Sequence, residues 1–412
     1  MQEDLNISST RTAFLWTRLL NVPFLVLLNI LPIILYKDLN ISPWLVTSMI
    51  VIKPASALFA SYWSSWIHER RDRLISNIIL ANIIRYIPFL FVPWITSPLI
   101  IIASFGVYMM LSRGVMPAWM EVFKQNIHSS HRSRIFSYGS ALDYFCTALF
   151  PIGLGLILDD YILSWRFLFP ISAALGLIST LFILKIPKST LDDAKKALIE
   201  KFCIRKHLTK PWRESLKILK ESKGFSHYQI GFFLGGAGLM VMQSVIPIFF
   251  VDTLNLSYTK MLLALGVFKA IGYAFASPLS VRLFHEWNIY KFSGFVSIAF
   301  ALFPLLLIGA EGNSGFVYLA YLLYGTAQAG SELSWHMSGP LFSHEKDSAP
   351  YSTTNVLLVG IRGCLAPIIG SILFYLSDTT VVLLVGACFC AFSAKHLISY
   401  RQKLNCALSE IH

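Results

Sequence analysis

The chain has 412 residues, of which 55% are hydrophobic and 14% are charged, and its mean hydropathy is +0.62. Soluble domains carry about 25% charged residues, so this composition excludes an ordinary soluble enzyme or binding domain and indicates a protein of the lipid bilayer. The net charge of +12 would suggest nucleic acid as the partner of a soluble protein, but in so apolar a chain we assign it to cytoplasmic loops and expect no nucleic-acid binding.

Twelve apolar segments follow one another along the chain, each close to the roughly 20 residues that a helix needs to cross the hydrocarbon core. The segments are 13–35, 44–67, 74–95, 98–120, 133–157, 165–185, 228–251, 259–284, 292–310, 315–340, 352–376 and 379–400. The sequence therefore predicts an all-α integral membrane protein with about 12 transmembrane helices and little room for a separate soluble domain.

Basic residues predict the orientation of these spans. Most of the 34 lysines and arginines fall in segments on the same side as the N-terminus, whereas Lys37, Arg166 and Lys260 fall on the other side. Because cytoplasmic loops are enriched in Lys and Arg, we expect both termini in the cytoplasm. No cleavable signal peptide is evident, and the compact loops favour a bacterial inner membrane.

The longest polar stretch, residues 186–226, separates the first six spans from the last six. It predicts two helical pieces with a break at Pro211. We expect a six-helix bundle over 1–185, a basic cytoplasmic linker over 186–226, and a second six-helix bundle over 227–412. The linker is either a plain connector that follows the positive-inside rule or a basic helix that contacts anionic lipid.

The two halves of the chain repeat each other at a nearly constant offset. In the second and eighth spans, Lys53 matches Lys269, 216 residues later. Further matches at offsets of 215 or 216 pair Leu39-Asn40 with Leu254-Asn255, Tyr108 with Tyr324, Gly114 with Gly330, Trp119 with Trp335 and Pro151 with Pro367. Each falls in the corresponding span or just before it, so the sequence predicts a parallel duplication of a six-span unit.

Two six-span repeats joined by a basic linker resemble the major facilitator superfamily over essentially the whole chain. After the second span, Arg71, Asp72 and Arg73 form a basic cluster where that family usually has Gly-x-x-x-Asp-Arg-x-Gly-Arg-Arg. The resemblance implies two six-helix bundles that rock around a site near the membrane midplane. Exporters of this family carry a glycine signature in the fifth span, and only Pro151 and Gly155 fit it here. The resemblance therefore does not extend to an exporter assignment.

Seven ionisable residues fall in the middle of predicted spans, where a charge left in lipid costs at least about 2.5–3.5 kcal/mol. They are Lys53, Arg85, Arg113, Asp143, Lys269, Glu332 and Arg362. Each therefore predicts a function or a buried partner, and the excess of cations over acids favours an anionic solute. We assign no role to Arg85 beyond an unidentified partner.

Lys53 and Lys269 occupy equivalent places in the two repeats, so they are candidates to bind an anion at the midplane together with Arg362. The alternative is structural pairing, in which Asp143 bridges the two halves through Lys269 while Lys53 faces Arg362. Two facing cations need an anion, water or a change of protonation. Asp143 is in either case a candidate for a gate between the bundles.

Glu332 and His336 are four residues apart, so they share a helix face. A carboxylate and an imidazole together can relay a proton, and some proton-coupled members of the family use a similar pair in this helix. The alternative is an ion pair between Glu332 and Arg362. Arg113 precedes a glycine where many relatives have Arg-x-x-Gln-Gly, which makes it a further coupling candidate by resemblance.

These residues predict a secondary transporter of a small polar, anionic metabolite, with protons as the candidate coupling ion. The alternative is an exporter of amphipathic compounds, which the abundant aromatic residues permit. No phosphate-binding loop, hydrolase motif or metal-ligand pattern is present, so we expect neither a cofactor nor an enzyme activity. A receptor or membrane enzyme is the remaining class, and it lacks a sensor domain and a catalytic motif.

Overall fold

The computed structural model describes residues 2–69, 74–127, 129–161, 163–186, 204–343 and 348–409. Within these ranges the regular elements are helices, as the sequence predicts. The basic cluster of Arg71, Asp72 and Arg73 and the first part of the linker, 187–203, lie outside the described residues.

Fifteen α-helices follow one another over the described part of the chain. The first seven are α1 Gln2–Leu39, α2 Pro43–Glu69, α3 Leu74–Leu90, α4 Pro98–Asn126, α5 Ser129–Asp160, α6 Trp165–Ile183 and α7 Ile204–Glu221. The others are α8 Lys223–Gln243, α9 Ile246–Ile248, α10 Tyr258–Leu262, α11 Lys269–Glu286, α12 Ile289–Gly309, α13 Gly315–Ser343, α14 Ala349–Leu376 and α15 Thr379–Ser409. Two π-helical turns, Phe249–Thr253 and Leu263–Phe268, extend α9 and join α10 to α11.

Each of the twelve predicted spans coincides with one of these helices or with a bent series of them, which confirms the all-helical membrane fold. By length and hydropathy, eight of the described helices can cross a membrane, and a ninth can if α8 and the segment Ile246–Thr253 count as one span bent by 40°. The helices α2, α5 and α13 are 27, 32 and 29 residues long, and they correspond to the three remaining predicted spans.

The chain divides into two compact units, one over Met1–Ile41 and Ala55–Cys203 and the other over Ser42–Pro54 and Ile204–His412. The first part of α2 therefore belongs to the second unit. The predicted bundle boundaries at 185 and 227 stay a prediction.

Helix α2 contacts α14 within the second unit. The hydroxyl groups of Thr47 and Ser371 share a hydrogen bond. A Cβ on Gly363 would lie 2.5 Å from Cβ of Pro54, so the two backbones approach closely because residue 363 has no side chain. The second predicted span therefore lies against the eleventh over these residues.

The backbone repeats itself where the first span of each half ends. Asn40 and Asn255 match in sequence, and both adopt left-handed φ angles, 49° and 46°. One residue later, the N–H of Ile41 donates to the carbonyl of Leu35 and the N–H of Leu256 donates to that of Phe250. Asparagine tolerates this conformation better than most residues, and such a bond closes a helix C-terminus. The two halves therefore share backbone detail as well as residue types.

In the first unit, α1 packs against α4, α5 and α6, and α3 packs against α4 and α6. Aromatic rings fill the contacts. Phe14 lies edge-on to Phe123, and Phe24 lies edge-on to Tyr86 and Phe89. These rings are buried, so packing rather than solute contact accounts for them.

In the second unit, α8 packs against α14 and α15, and α12 packs against α13 and α15. A Cβ on Gly238 would lie 2.6 Å from the carbonyl oxygen of Gly386, and Gly231 leaves room for the side chain of Leu397. Small residues let helix backbones approach in a membrane. The glycines of α8 therefore allow close packing against α15.

The predicted helix break at Pro211 is wrong, because α7 runs without interruption over Ile204–Glu221 and packs against α14. A proline removes one backbone hydrogen bond, and the turns on either side hold the helix together. The distinction between a plain connector and a lipid-binding helix stays open.

Candidate functional site

The contact between α11 and α13 is built on two glycines. A Cβ on Gly325 would meet the carbonyl oxygen of Lys269 and lie 2.9 Å from the backbone nitrogen of Tyr273. A Cβ on Gly272 would meet the carbonyl oxygen of Leu322. The two helices therefore cross backbone to backbone, as small residues allow. This close crossing brings the polar side chains of both helices together.

Lys269 is half-buried at the start of α11, directly after the π-helical turn Leu263–Phe268. Its ammonium Nζ lies 5.1 Å from the centroid of the Tyr324 ring, within the range of a cation–π interaction. Glu332 on α13 is near enough to interact with it electrostatically. Single π-helical turns are frequent at functional sites, and here the turn immediately precedes a charged residue inside the membrane.

Glu332 is held by two neutral donors. The hydroxyl of Tyr273 donates to Oε2 at 2.6 Å, and Nε2 of Gln328 donates to Oε1 at 2.8 Å. Among the described residues, Oε1 of Gln328 is a buried acceptor with no hydrogen-bond partner. The cluster of Lys269, Tyr273, Gln328 and Glu332 thus combines a cation, a carboxylate and an unused acceptor; we call it the α11–α13 cluster.

The variant Gly325→Ala should destabilise the protein and impair transport, because the new Cβ pushes α13 away from α11. Overpacking of this kind costs about 1–3 kcal/mol. The matched control is Gly153→Ala on α5, where a Cβ meets nothing within 4 Å; we expect it to be neutral or slightly stabilising, since alanine favours a helix. Thermal unfolding in detergent measures both, and equal melting temperatures for the two variants would contradict the close crossing.

Lys53 is half-buried on the part of α2 that belongs to the second unit. It precedes Pro54, which packs on Gly363 of α14. Lys53 and Lys269 thus lie in the same compact unit, as well as being equivalent by the sequence repeat. Their joint role in binding an anion stays a prediction.

Arg362 is buried on α14 and turns toward α8. Its guanidinium donates to the backbone carbonyl of Phe232 and lies 4.8 Å from the centroid of the Phe232 ring. The side chain occupies the space where a Cβ on Gly236 would be. The alternative ion pair between Glu332 and Arg362 is wrong, because within the described part of the chain Arg362 makes no salt bridge.

Asp143 on α5 forms a salt bridge with Arg18 on α1, inside the first unit. The Arg18 guanidinium lies over the Phe14 ring, 4.7 Å from its centroid, and Gly139 leaves room for both side chains. The sequence offered Lys269 as the partner of Asp143, and the salt bridge with Arg18 corrects this expectation. Residue 18 falls inside the long helix α1, which packs against α5. A gating role for Asp143 stays a prediction.

His336 and Arg113 are both exposed side chains, on α13 and α4 respectively. His336 is one helical turn beyond Glu332, which is half-buried. The predicted proton relay through this pair and the coupling role of Arg113 stay predictions.

Arg85 finds its partners in the first unit. It is buried on α3, lies over the ring of Tyr86 at 4.7 Å, and donates to the Tyr86 hydroxyl at 3.0 Å. That hydroxyl donates in turn to Asn21 at 2.5 Å. The Tyr86 hydroxyl and the faces of Tyr86 and Tyr108 thus stabilise this arginine, where the sequence suggested an unidentified partner.

Sequence reasoning missed Tyr273 and Gln328, although helical spacing could have found them. Tyr273 follows Lys269 by four residues and Gln328 precedes Glu332 by four, which places each on the same helix face as its charged neighbour. Tyr324, which the sequence repeat matches with Tyr108, lies beside Lys269.

Solved transporters share this fold. The nucleoside transporter NupG is 13% identical with a TM-score of 0.69, over 96% of this chain and 98% of that one. A bacterial homolog of the human lysosomal transporter Spinster is 13% identical with a TM-score of 0.64, over 96% and 98%. A POT family transporter in complex with 5-aminolevulinic acid is 12% identical with a TM-score of 0.73, over 96% and 96%. None of the curated protein sequences matches this chain.

The family itself is shown by the sequence. The family model described as Major Facilitator Superfamily matches residues 23–371, which is most of the chain and includes the α11–α13 cluster. The match agrees with the twelve helical spans and with the backbone repeat at Asn40 and Asn255. The chain therefore belongs to the major facilitator superfamily and is a multi-pass membrane transporter.

Proposed function

We propose that this transporter carries a small polar metabolite with a negative charge by alternating access, coupled to protons. The observation that supports the proposal most strongly is the α11–α13 cluster, in which Lys269 and Glu332 lie close together inside a membrane-spanning unit. Ionisable residues within membrane spans are rare and commonly mark solute or ion pathways. We also propose that both termini are cytoplasmic, because of the basic loops, and that the membrane is a bacterial inner membrane, because the loops are compact.

The charge of the solute follows from the two lysines. Lys53 and Lys269 are equivalent in the two repeats and belong to the same compact unit, whereas Glu332 is the acid of the cluster. An anionic group on the solute would be attracted by both lysines. Fixed charges of opposite sign give a site its selectivity, because the wrong sign costs several kcal/mol.

Protons would enter through Glu332. While its carboxylate is ionised, it is attracted to the Lys269 ammonium and competes with the solute anion for that cation. Protonation removes that competition and leaves the ammonium to the solute, so solute and proton bind together. Tyr273 can rotate its hydroxyl from Glu332 to the solute. The hydrogen bond to Glu332 would then depend on whether solute is bound.

Neutral groups would orient the solute. Oε1 of Gln328 accepts no hydrogen bond among the described residues, so it can receive a donor from the metabolite. Pockets for small molecules commonly combine a few placed polar groups with an apolar lining. A transporter of this fold is described with 5-aminolevulinic acid, which is compatible with a small carboxylic acid as the solute here.

In this proposal Arg362 is not a ligand of the metabolite. Its guanidinium is engaged with Phe232 and lines a separate small cavity. The proposed ligands of the metabolite are therefore Lys53 and Lys269.

A thermal-shift screen of the purified protein against anionic, neutral and cationic metabolites tests the proposed solute class. A ligand that binds the folded state raises the melting temperature by mass action. We expect stabilisation by one or more small carboxylates or phosphates. Stabilisation by hydrophobic cations alone would contradict the proposal and favour the exporter alternative.

A further inference from the structure

A small cavity lies inside the second unit, among α8, α12, α13, α14 and α15. Its volume is about 40 Å³. The lining residues that matter here are Phe232, Gly236, Ser297, Ser331, Ser334 and Arg362. Serine hydroxyls and one guanidinium thus face a space between five helices, and no aspartate or glutamate is among the residues that line it.

Arg362 is the charged group of this cavity, and its side chain is only 7% exposed. One of its NH₂ groups donates to the Phe232 carbonyl, but its Nε is buried without a hydrogen-bond partner among the described residues. Removing the solvent from a charge costs several kcal/mol unless the charge is paired and its donors are satisfied. The structure thus holds a desolvated cation whose counterion is not a carboxylate of the described chain.

The serines can supply further donors. Ser293 donates to Ser334 at 3.0 Å, so Ser334 accepts that bond and keeps its own proton for another partner. Ser297 donates to the carbonyl of Ser293 at 2.9 Å. Ser331 lines the same space, one residue before Glu332. A guanidinium and two serines that line one cavity without an acid can supply the donors that an anion requires.

The size of the cavity decides the class of ligand. A water molecule needs at least about 10–15 Å³ of such space, so about 40 Å³ holds one monatomic ion or very few waters. Sites for metabolites measure roughly 300–1,000 Å³. The cavity is therefore too small for the metabolite of the proposed function, and the two sites are distinct.

We propose that this cavity binds a small monovalent inorganic anion such as chloride, held by Arg362 with Ser331 and Ser334. The anion neutralises Arg362 and connects α13 to α14 through one ion. It is a resident of the second unit and not the transported metabolite. Its binding therefore stabilises the fold whether or not the metabolite is present.

Thermal unfolding of the full-length purified protein tests this proposal without any metabolite. Chloride replaces gluconate at constant ionic strength, and bromide serves as a second small halide. We expect a saturable rise in melting temperature with chloride and with bromide. Gluconate is too large for the cavity and should have no such effect. Equal melting temperatures in chloride and gluconate would overturn the proposal and leave water as the occupant.

Two variants locate the effect. Arg362→Gln removes the charge, so its melting temperature should not depend on chloride. Ser331→Ala removes one donor with little risk to folding, and the loss of one hydrogen bond should raise the half-saturating chloride concentration roughly fivefold. The matched control is Arg282→Gln, an exposed arginine that pairs with Glu286 on the same helix; it should respond to chloride as the wild type does. A wild-type response in Ser331→Ala would contradict the proposal even if Arg362→Gln failed to fold.

Discussion

Replacing Lys53 and Lys269 together by methionine should lower uptake of the anionic metabolite by at least about 100-fold. Loss of a charged partner of a desolvated ligand commonly costs about 2–5 kcal/mol, and each 1.4 kcal/mol is a factor of ten. Methionine keeps most of the length and the apolar stem of lysine. The expected loss is therefore one of charge, measured as the initial rate of uptake into proteoliposomes.

A matched pair of lysines controls for the loss of two charges. Lys223 and Lys260 are exposed residues of the second unit, and their replacement by methionine should change uptake by less than about twofold, as surface charges contribute little. The single variant Lys269→Met also leaves Glu332 beside an uncharged residue, so we expect it to be less stable than the variant that carries both Lys269→Met and Glu332→Gln. Normal uptake by the Lys53→Met, Lys269→Met protein would exclude both lysines from solute binding.

The variant Glu332→Gln should abolish accumulation driven by a pH gradient while preserving exchange of labelled for unlabelled metabolite. Glutamine has nearly the same shape, and its carbonyl oxygen can still accept from Tyr273, but it cannot exchange a proton. Uphill transport should fall to the level without a gradient, which is a loss of the whole gradient-driven component. The measurement is uptake with and without an imposed pH gradient, beside counterflow in the same vesicles.

Two further variants make this result specific. Glu286→Gln removes an exposed acid that pairs with Arg282 on α11, and it should leave gradient-driven uptake unchanged. His336→Gln tests the second residue of the predicted relay. If His336→Gln uncouples transport and Glu332→Gln does not, the proton passes through the histidine and the role given to Glu332 is wrong.

The helical fold was predictable because several independent features of the sequence indicate the same architecture. Twelve apolar stretches, basic loops and a repeat at offsets near 216 each agree with a duplicated six-span unit, and the family match and the solved transporters confirm it. The repeat extends to backbone conformation, because Asn40 and Asn255 match in sequence and both adopt left-handed φ angles. The break expected at Pro211 failed, since a proline lowers helix stability locally without specifying what the flanking turns do.

Charge partners were less predictable, because they depend on which helix faces meet. Asp143 pairs with Arg18 and Arg362 turns to the Phe232 carbonyl, whereas the sequence favoured neither. In a membrane span every ionisable residue requires a partner, but many candidates have the right sign. Close helix crossings determine which of these candidates meet. The crossing at Gly325 depends on a glycine, and the sequence does not show which residue of another helix that glycine contacts.

The cluster around Lys269 was half predictable. The lysine and Glu332 follow from their depth in predicted spans, and Tyr273 and Gln328 follow from a spacing of four residues once those charges are chosen. The proximity of α11 and α13 does not follow, because it arises from glycine contacts between helices that are separate in the sequence. The π-helical turn before Lys269 has no sequence signal that we can name.

Binding of a small carboxylate or phosphate to the wild type and to the Lys53→Met, Lys269→Met protein, measured side by side by thermal shift, tests the central claim most directly. The account predicts a concentration-dependent rise in melting temperature for the wild type, and no rise for the double variant at the same ligand concentrations. An equal rise in both proteins, or a rise with neutral or cationic compounds alone, would contradict an anionic solute held by these two lysines.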